Sequence, residues 1–263
     1  MIRIKDLVLK DYIININVGS KQLFGIYGRD KVLIKDLLLI IAGINKNSDN
    51  CTYDEENVYD NERYFRNRIY LDCHKEYFQT IKATEIASGI KTKYHKIIDV
   101  ERLQKHLKTL DVRGECEITY RYVLTKCGNT LLNMSLLLAS DNHLIINNPT
   151  INVKRPSDID YLTNELIKKD KIIILGVNSL KDLTNRLSSV LILTDFKEAL
   201  LVNPQKDIFH VVDNNNLNFD KLFISNDNTK LIVKELTKEQ LKICDKEKIK
   251  YSKINIYEIE KHI

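Results

Sequence analysis

Apolar residues fall on every second position through much of residues 2–18: Ile2 and Ile4 alternate with Arg3 and Lys5, and Ile14, Ile16 and Val18 share a face. That period predicts two antiparallel strands. Gln22–Tyr27 reads as a short strand feeding a helix over Val32–Ala42, while residues 45–66, rich in Asn, Asp, Glu and Tyr, read as loop and edge hairpin. Arg68–Leu71 is expected as a strand and 80–90 as a helix. A helix over 99–110 is expected from the spacing of Ile97, Val100, Leu103, Leu107 and Leu110. From Gly128 the order becomes helix, strand 143–147, helix 157–168, strand 171–177, helix 179–186 and strand 189–193. Such alternation predicts a parallel sheet with crossover helices. Beyond about Thr194 the pattern shifts to short strands, an Asn-rich turn at Asn214–Asn216, and a closing strand, helix, strand and helix.

Hydrophobic content of 43% against 29% charged residues describes a chain able to bury a large core. The net charge of +5 is small for 263 residues, and no basic block marks a nucleic-acid arm. Five cysteines without CxxC spacing indicate neither a zinc site nor a disulfide framework, and fit a reducing cytoplasm. Six histidines form no ligand motif, and His143 reads as a strand-entry residue. The longest apolar run, Leu37–Ile44, is too short to span a bilayer. Membrane association is therefore expected only through a partner.

The chemistry-bearing stretch is Gly25-Ile-Tyr-Gly28-Arg-Asp-Lys31-Val-Leu33-Ile34-Lys35, followed by a leucine-rich run ending Ala42-Gly43. It keeps the frame of a phosphate-binding loop, in which glycines curl backbone N–H groups around phosphates, a lysine reaches their oxygens and a hydroxyl holds Mg²⁺. Counted from Gly28, Leu33 stands at the last glycine, Ile34 at the lysine and Lys35 at the hydroxyl. Further landmarks follow in order: Arg68–Cys73, Leu124-Thr125-Lys126-Cys127, His143-Leu-Ile-Ile-Asn147-Asn148-Pro149-Thr150, Lys154 and Asn178. Over residues 1–195 this set resembles the ATP-binding cassette (ABC) transporter ATPases. The resemblance implies a P-loop NTPase-like α/β domain with an antiparallel β subdomain, a helical subdomain over about 75–130, and a small C-terminal extension over 196–263 similar to those of drug- and peptide-export cassettes.

The same resemblance implies that each reactive position is altered. Asn147 and Asn148 replace the Mg²⁺-supporting aspartate and the water-polarising glutamate, and Lys126 and Cys127 replace the signature glycines. Cys73, Asn178 and Lys154 stand at the glutamine, the switch histidine and the subunit-bridging aspartate; between Leu7 and Ile14 there is little room for the turn that presents an aromatic ring to adenine, with Tyr12 as the candidate substitute. The expected product is a non-catalytic ABC subunit needing no cofactor, with Gly25, Gly28, Lys31 and Lys35 as a remnant phosphate site and no catalytic or metal residue. Lys31 is the lysine able to fold back over an anion, because one helical step of about 100° turns Lys35 away. Implied partners are a membrane-spanning ABC subunit and another ABC ATPase chain, or a second copy, at the inner face of a bacterial cell membrane, with antimicrobial peptide or drug export as the setting. Tyr77, Phe78 and Ile81, in the groove near Cys73–Ile90, are the expected anchors for the membrane partner. A weak ATPase using ATP and Mg²⁺ through non-standard residues, or a free-standing interaction protein, are the alternatives.

Overall fold

The computed structural model describes residues 1–46, 50–74, 82–112, 126–183, 186–214 and 216–263. β1 (Ile2–Leu9) and β2 (Tyr12–Val18) pair antiparallel as expected, and with β4 (Cys51–Tyr53) and β5 (Glu56–Asn57) form a sheet of order β2-β1-β4-β5. The register shifts between Ile4 and Leu7, where Asp6 adopts φ +52°. This bulge lets Ile2, Ile4 and Leu7 all face inward although their spacing breaks period two.

The second sheet is the centre of the molecule. Its order is β10-β9-β3-β8-β7-β6, with β3 (Gln22–Gly28), β6 (Arg68–Asp72), β7 (His143–Asn147), β8 (Ile172–Val177) and β9 (Ser189–Leu193) parallel, and β10 (Ala199–Val202) antiparallel to β9. All six residues of β8 are buried, because a parallel strand in mid-sheet is covered on both faces. α1 (Lys31–Ile41) packs one face with Leu33, Ile34, Leu37, Leu38, Ile40 and Ile41, in a core shared with β1 and β2. Gly176 makes this possible: a Cβ there would meet Leu38 at 2.6 Å and Ile34 at 2.9 Å. His143 does tie the entry of β7 to its neighbour, with Nδ1 accepting from the Ile172 amide at 3.2 Å. Burial and nearby cations hold its pKa down to about 4, so the ring is a neutral acceptor.

The other face carries α5 (Lys126–Leu138) and α6 (Pro156–Ile167), joined in one core by α3 (Ala83–Tyr94) and α4 (Val100–Thr109). Leu103, Leu107 and Leu110 face that core as their spacing predicted, but Ile97 and Val100 are exposed, by 72% and 41%. Residues 62–67 form a short helix, α2 (Glu62–Asn67), rather than loop alone, capped by the Asn61 side chain on the Tyr64 amide. In place of the helix expected over 179–186, the described residues hold only a 3₁₀ turn, Lys181–Leu183. The connection crosses over β3, which lies between β8 and β9 in the sheet.

β11 (Phe209–Val212), β12 (Lys221–Ile224), β13 (Leu231–Val233) and β14 (Tyr251–Ile254) form a separate antiparallel sheet of order β12-β13-β11-β14, with α7 (Lys238–Lys246) between the last two strands. The chain closes on a 3₁₀ helix, Ile256–Lys261. The boundary expected at 195/196 falls between β9 and β10 of one sheet, so the independent C-terminal sheet starts at Phe209. Its apolar residues Phe209, Phe223 and Ile232, with Ile256 and Ile259 of the closing 3₁₀ helix, merge with the core beneath β3.

Candidate functional site

β3 ends at Gly28 and α1 begins at Lys31, leaving Arg29 and Asp30 as the whole connection. Phosphates in such motifs sit at the helix N-terminus, so the motif lysine must stand at the helix start. Counting from Gly28 fails that test, because Leu33 and Ile34 lie inside the helix and are buried in the core. Counting from Gly25 satisfies it, with Asp30 at the last glycine, Lys31 at the lysine and Val32 at the hydroxyl. The frame taken from Gly28 is thereby corrected. A lysine survives at the motif position, and the losses are the glycine and the hydroxyl.

Asp30 changes the character of this helix end. As N-cap its Oδ1 accepts from the Leu33 amide at 2.9 Å, and its Oδ2 accepts from Lys10 Nζ at 3.1 Å. The Leu33 hydrogen bond is the main reason its carboxyl sits below the usual range. The positive end of α1 thus already holds an anion, supplied by the chain itself. Lys31 Nζ donates to the Gly28 carbonyl at 2.9 Å and lies 5.3 Å from the centre of the Tyr27 ring. Partial burial lowers its pKa, against which the Glu260 carboxylate acts.

The two strand glycines are explained by packing. A Cβ on Gly28 would meet both Cβ and the carbonyl oxygen of Leu193 at 3.0 Å, and one on Gly25 would meet Leu187 at 3.0 Å. Lys35 points elsewhere, with Nζ 3.4 Å from the Asp72 carboxylate at the end of β6. The loop therefore gathers Gly28, Lys31 and Asp30 and does not include Lys35.

The C-terminal sheet covers the same corner. Arg29 Nη1 donates to Asp195 Oδ2 at 2.9 Å, Nη2 donates to the Ile224 carbonyl at 2.7 Å, and the guanidinium lies 5.9 Å from the centre of the Phe223 ring. Phe223 in turn meets Tyr27 edge-on at 6.4 Å. From the last 3₁₀ helix, Glu260 accepts from Ser179 Oγ at 2.9 Å and from the Leu180 amide, just past the exposed Asn178.

At the expected carboxylate positions, Asn147 and Asn148 are buried, and Asn148 takes φ +55°, a conformation asparagine tolerates. Asn148 Nδ2 lies 3.0 Å from His74 Nε2. His74 is exposed in the turn after β6, while Cys73 is buried with Sγ 3.7 Å from Met134 Sδ. Burial raises the Cys73 thiol pKa. Tyr12 is buried, with Oη donating to the Thr194 carbonyl at 2.6 Å. Lys126 opens α5, Cys127 is half-buried beside it, and Lys154 is exposed. Leu124, Thr125, Tyr77, Phe78 and Ile81 lie outside the described residues.

Asp30 and Glu260 are the residues that sequence reasoning missed. Asp30 had a signal, an Asp directly before an apolar helical run being an N-cap pattern. Glu260 had none, since it meets Ser179 across 81 residues. Among the described residues no helix is long and apolar enough to cross a membrane, and no group of three or more His, Cys, Asp or Glu could hold a metal.

No family model matches the sequence, and no curated protein matches it. Solved structures do. A chain described as a cobalt transport ATP-binding protein (cbiO-2) is 20% identical, with a TM-score of 0.64 over 90% of this chain and 93% of that one. The cbiO1 of Clostridium perfringens, part of the ABC transporter complex cbiONQ, is 16% identical over 78% and 89%, with a TM-score of 0.59. MJ0796, a bacterial ABC transporter cassette solved as a dimer, is 14% identical over 77% and 98%, with a TM-score of 0.62. With its two-sheet core, its helices on the face opposite α1 and its strand–loop–helix at Gly25–Ile41, the chain has the fold of an ABC transporter ATP-binding cassette.

Proposed function

We propose that this chain is a pseudo-ATPase: a non-catalytic cassette subunit that assembles with a membrane-spanning ABC subunit, an active ATPase chain, or both. The observation that carries the reading is Asp30, a carboxylate hydrogen-bonded to the amide at the helix end where phosphate would bind. A phosphate oxygen 4 Å from it would meet repulsion of about 1 kcal/mol per charge pair in water and about 4 kcal/mol in a partly shielded site. Val32 offers no hydroxyl to Mg²⁺, and Asn147 and Asn148 offer no carboxylate. Removing a single transition-state donor typically costs about 3 kcal/mol, so these losses together leave no route to hydrolysis.

The fold supports assembly, since cassettes of this shape include a dimer and a component of a transporter complex. In such a role the chain sits at the inner membrane face through its partner, and the partner selects the cargo, of the antimicrobial-peptide or drug class. A second reading, weak ATP binding, is favoured by Lys31 standing at the motif lysine.

Thermal melting with Mg-ATP separates the two. Ligand at 100 times its dissociation constant would add about 2.7 kcal/mol of stability. The expected result is no saturable shift for the native chain and a measurable one for Asp30→Gly, which empties the helix end while keeping Lys31. A saturable shift in the native chain, with ATP turnover, would end the pseudo-ATPase reading.

A further inference from the structure

The parallel strands β3, β7 and β8 end beside the start of α1, at Gly28, Asn147 and Val177. Where β7 and β8 begin, at the opposite end of the sheet, lies a cleft of about 470 Å³ between α4 and the loops leading into these two strands. That volume is within the range, roughly 300–1,000 Å³, of pockets that hold small ligands. Its lining is of another kind, since among the described residues Leu138 is its one aliphatic side chain. Arg102 and Lys105 of α4 stand there with Lys168, Lys169 and Lys171, from the segment between α6 and β8.

Three carboxylates share the wall, and all three are engaged. Asp141 pairs with Arg102 at 3.1 Å, Glu165 with Lys168 at 2.5 Å and Asp170 with Lys21 at 3.6 Å. Among the described residues no carboxylate pairs with Lys105, Lys169 or Lys171. Lys169 is half-buried and donates to the Ser140 carbonyl, a neutral acceptor that takes one of its three protons. Burial lowers its pKa, and Arg102 and Lys171 act in the same direction against Asp141 and Glu165. His106 adds no charge at neutral pH, because burial lowers its pKa as well. The dipole of a helix explains cations in its own last turn, and so accounts for Lys168. It gives no reason for Lys105, on a different helix, or for Lys171, just before a strand. Like charges gathered in one concavity repel one another, and a bound anion removes that cost.

We propose that this cleft binds a multivalent phosphate-bearing anion, held by Lys105, Lys169 and Lys171. An ammonium acts on phosphate as a point charge on a flexible stem, so the number and placement of the cations select the ligand. Two linked phosphoryl groups can span three ammoniums, whereas a single one would leave charge uncompensated. A neutral apolar molecule would find only Leu138. The chemistry is shared by a free polyphosphate and by the head group of an anionic phospholipid. The inference rests on the far end of the sheet and is independent of the pseudo-ATPase reading.

Calorimetric titration of the full chain with inorganic pyrophosphate, at low salt and without Mg²⁺, tests it. One saturable site is expected, weakened about fivefold by Lys105→Gln or Lys171→Gln, further by both together, and by added salt. Orthophosphate should bind more weakly, and Lys31→Gln, at the other end of the sheet, should leave the site in place. Sedimentation with phosphatidylcholine vesicles containing phosphatidic acid then separates the two sources. Cosedimentation that pyrophosphate reverses assigns a lipid head group to the cleft, and any other result leaves a free polyphosphate as the source. Absence of saturable pyrophosphate binding, undiminished binding by the folded double variant, or equal affinity for orthophosphate would overturn the proposal. Loss of the site in Lys31→Gln would overturn it too, by placing the anion at the start of α1. The single variants decide the matter if the double one does not fold.

Discussion

The N-terminal end of α1 and the free edge of β6 treat their cations in opposite ways. At α1, Asp30 fills the Leu33 amide, the Gly28 carbonyl holds Lys31, and Asp195 with the Ile224 carbonyl holds Arg29. At β6, two nitrogens of the Arg68 guanidinium and the Tyr70 hydroxyl are buried with no hydrogen-bond partner. The familiar motif outline marks the place where the donors are paired, and no motif marks the place where they are not. An outline can outlast its chemistry because packing sustains it: Gly28 is required by Leu193 and Gly176 by Leu38, whether or not a phosphate ever binds.

The contrast breaks most readily at Phe223, which closes the α1 corner from the C-terminal sheet. Phe223→Ala removes a fully buried ring and should cost about 3–5 kcal/mol in urea unfolding, with Arg29 losing the aromatic face beside it. A cost below about 1 kcal/mol would mean that the C-terminal sheet is only loosely seated there. Next in size is Arg68→Met in the absence of any ligand. Removing an uncompensated buried charge should leave stability unchanged or raise it by about 1–3 kcal/mol. A clear loss in denaturant melts would show that the guanidinium already has a partner and that the two regions do not differ.

Asp30→Ala should cost about 1 kcal/mol at neutral pH, the usual value of an N-cap. Because the folded carboxyl lies below its ordinary pKa of about 3.9, this contribution is fully present above that value and disappears as the pH falls through the folded pKa. Melts of the native chain and the variant should therefore converge only in strong acid, and a gap that persists there would mean that Asp30 does not act through its charge. The smallest effect is expected for Lys35→Ala. Its ion pair with Asp72 is half exposed, and such pairs contribute about 0–1 kcal/mol. A larger loss would bring Lys35 back as a working part of the site.

Much of the scaffold was legible because its signals are local. β8 is an unbroken apolar run, as a strand covered on both faces must be, and Leu33, Ile34, Leu37, Leu38 and Ile41 trace one side of α1. The frame of the phosphate loop was less legible. Glycines three residues apart allow two countings, and only the position of the helix start chooses between them. Asp30 directly before the apolar run, an N-cap pattern, is the local signal that selects the count from Gly25. The contribution of Glu260 depends on a contact across 81 residues, which no local pattern encodes. Arg68 reads in sequence as the ordinary first residue of a strand. That it lacks a partner is a property of everything around it, and so becomes visible only in three dimensions.

The connection Arg29–Asp30 is two residues long and anchored at both ends, Asp30 to the start of α1 and Arg29 to β12. At about 3.3–3.6 Å per residue it has no slack. The Arg29 side chain thus ties β12 to the short link between β3 and α1. Amides of β3 and β12 should consequently exchange with solvent as one cooperative unit. Weakening that tie, by Arg29→Ala, should let the two groups of amides exchange independently.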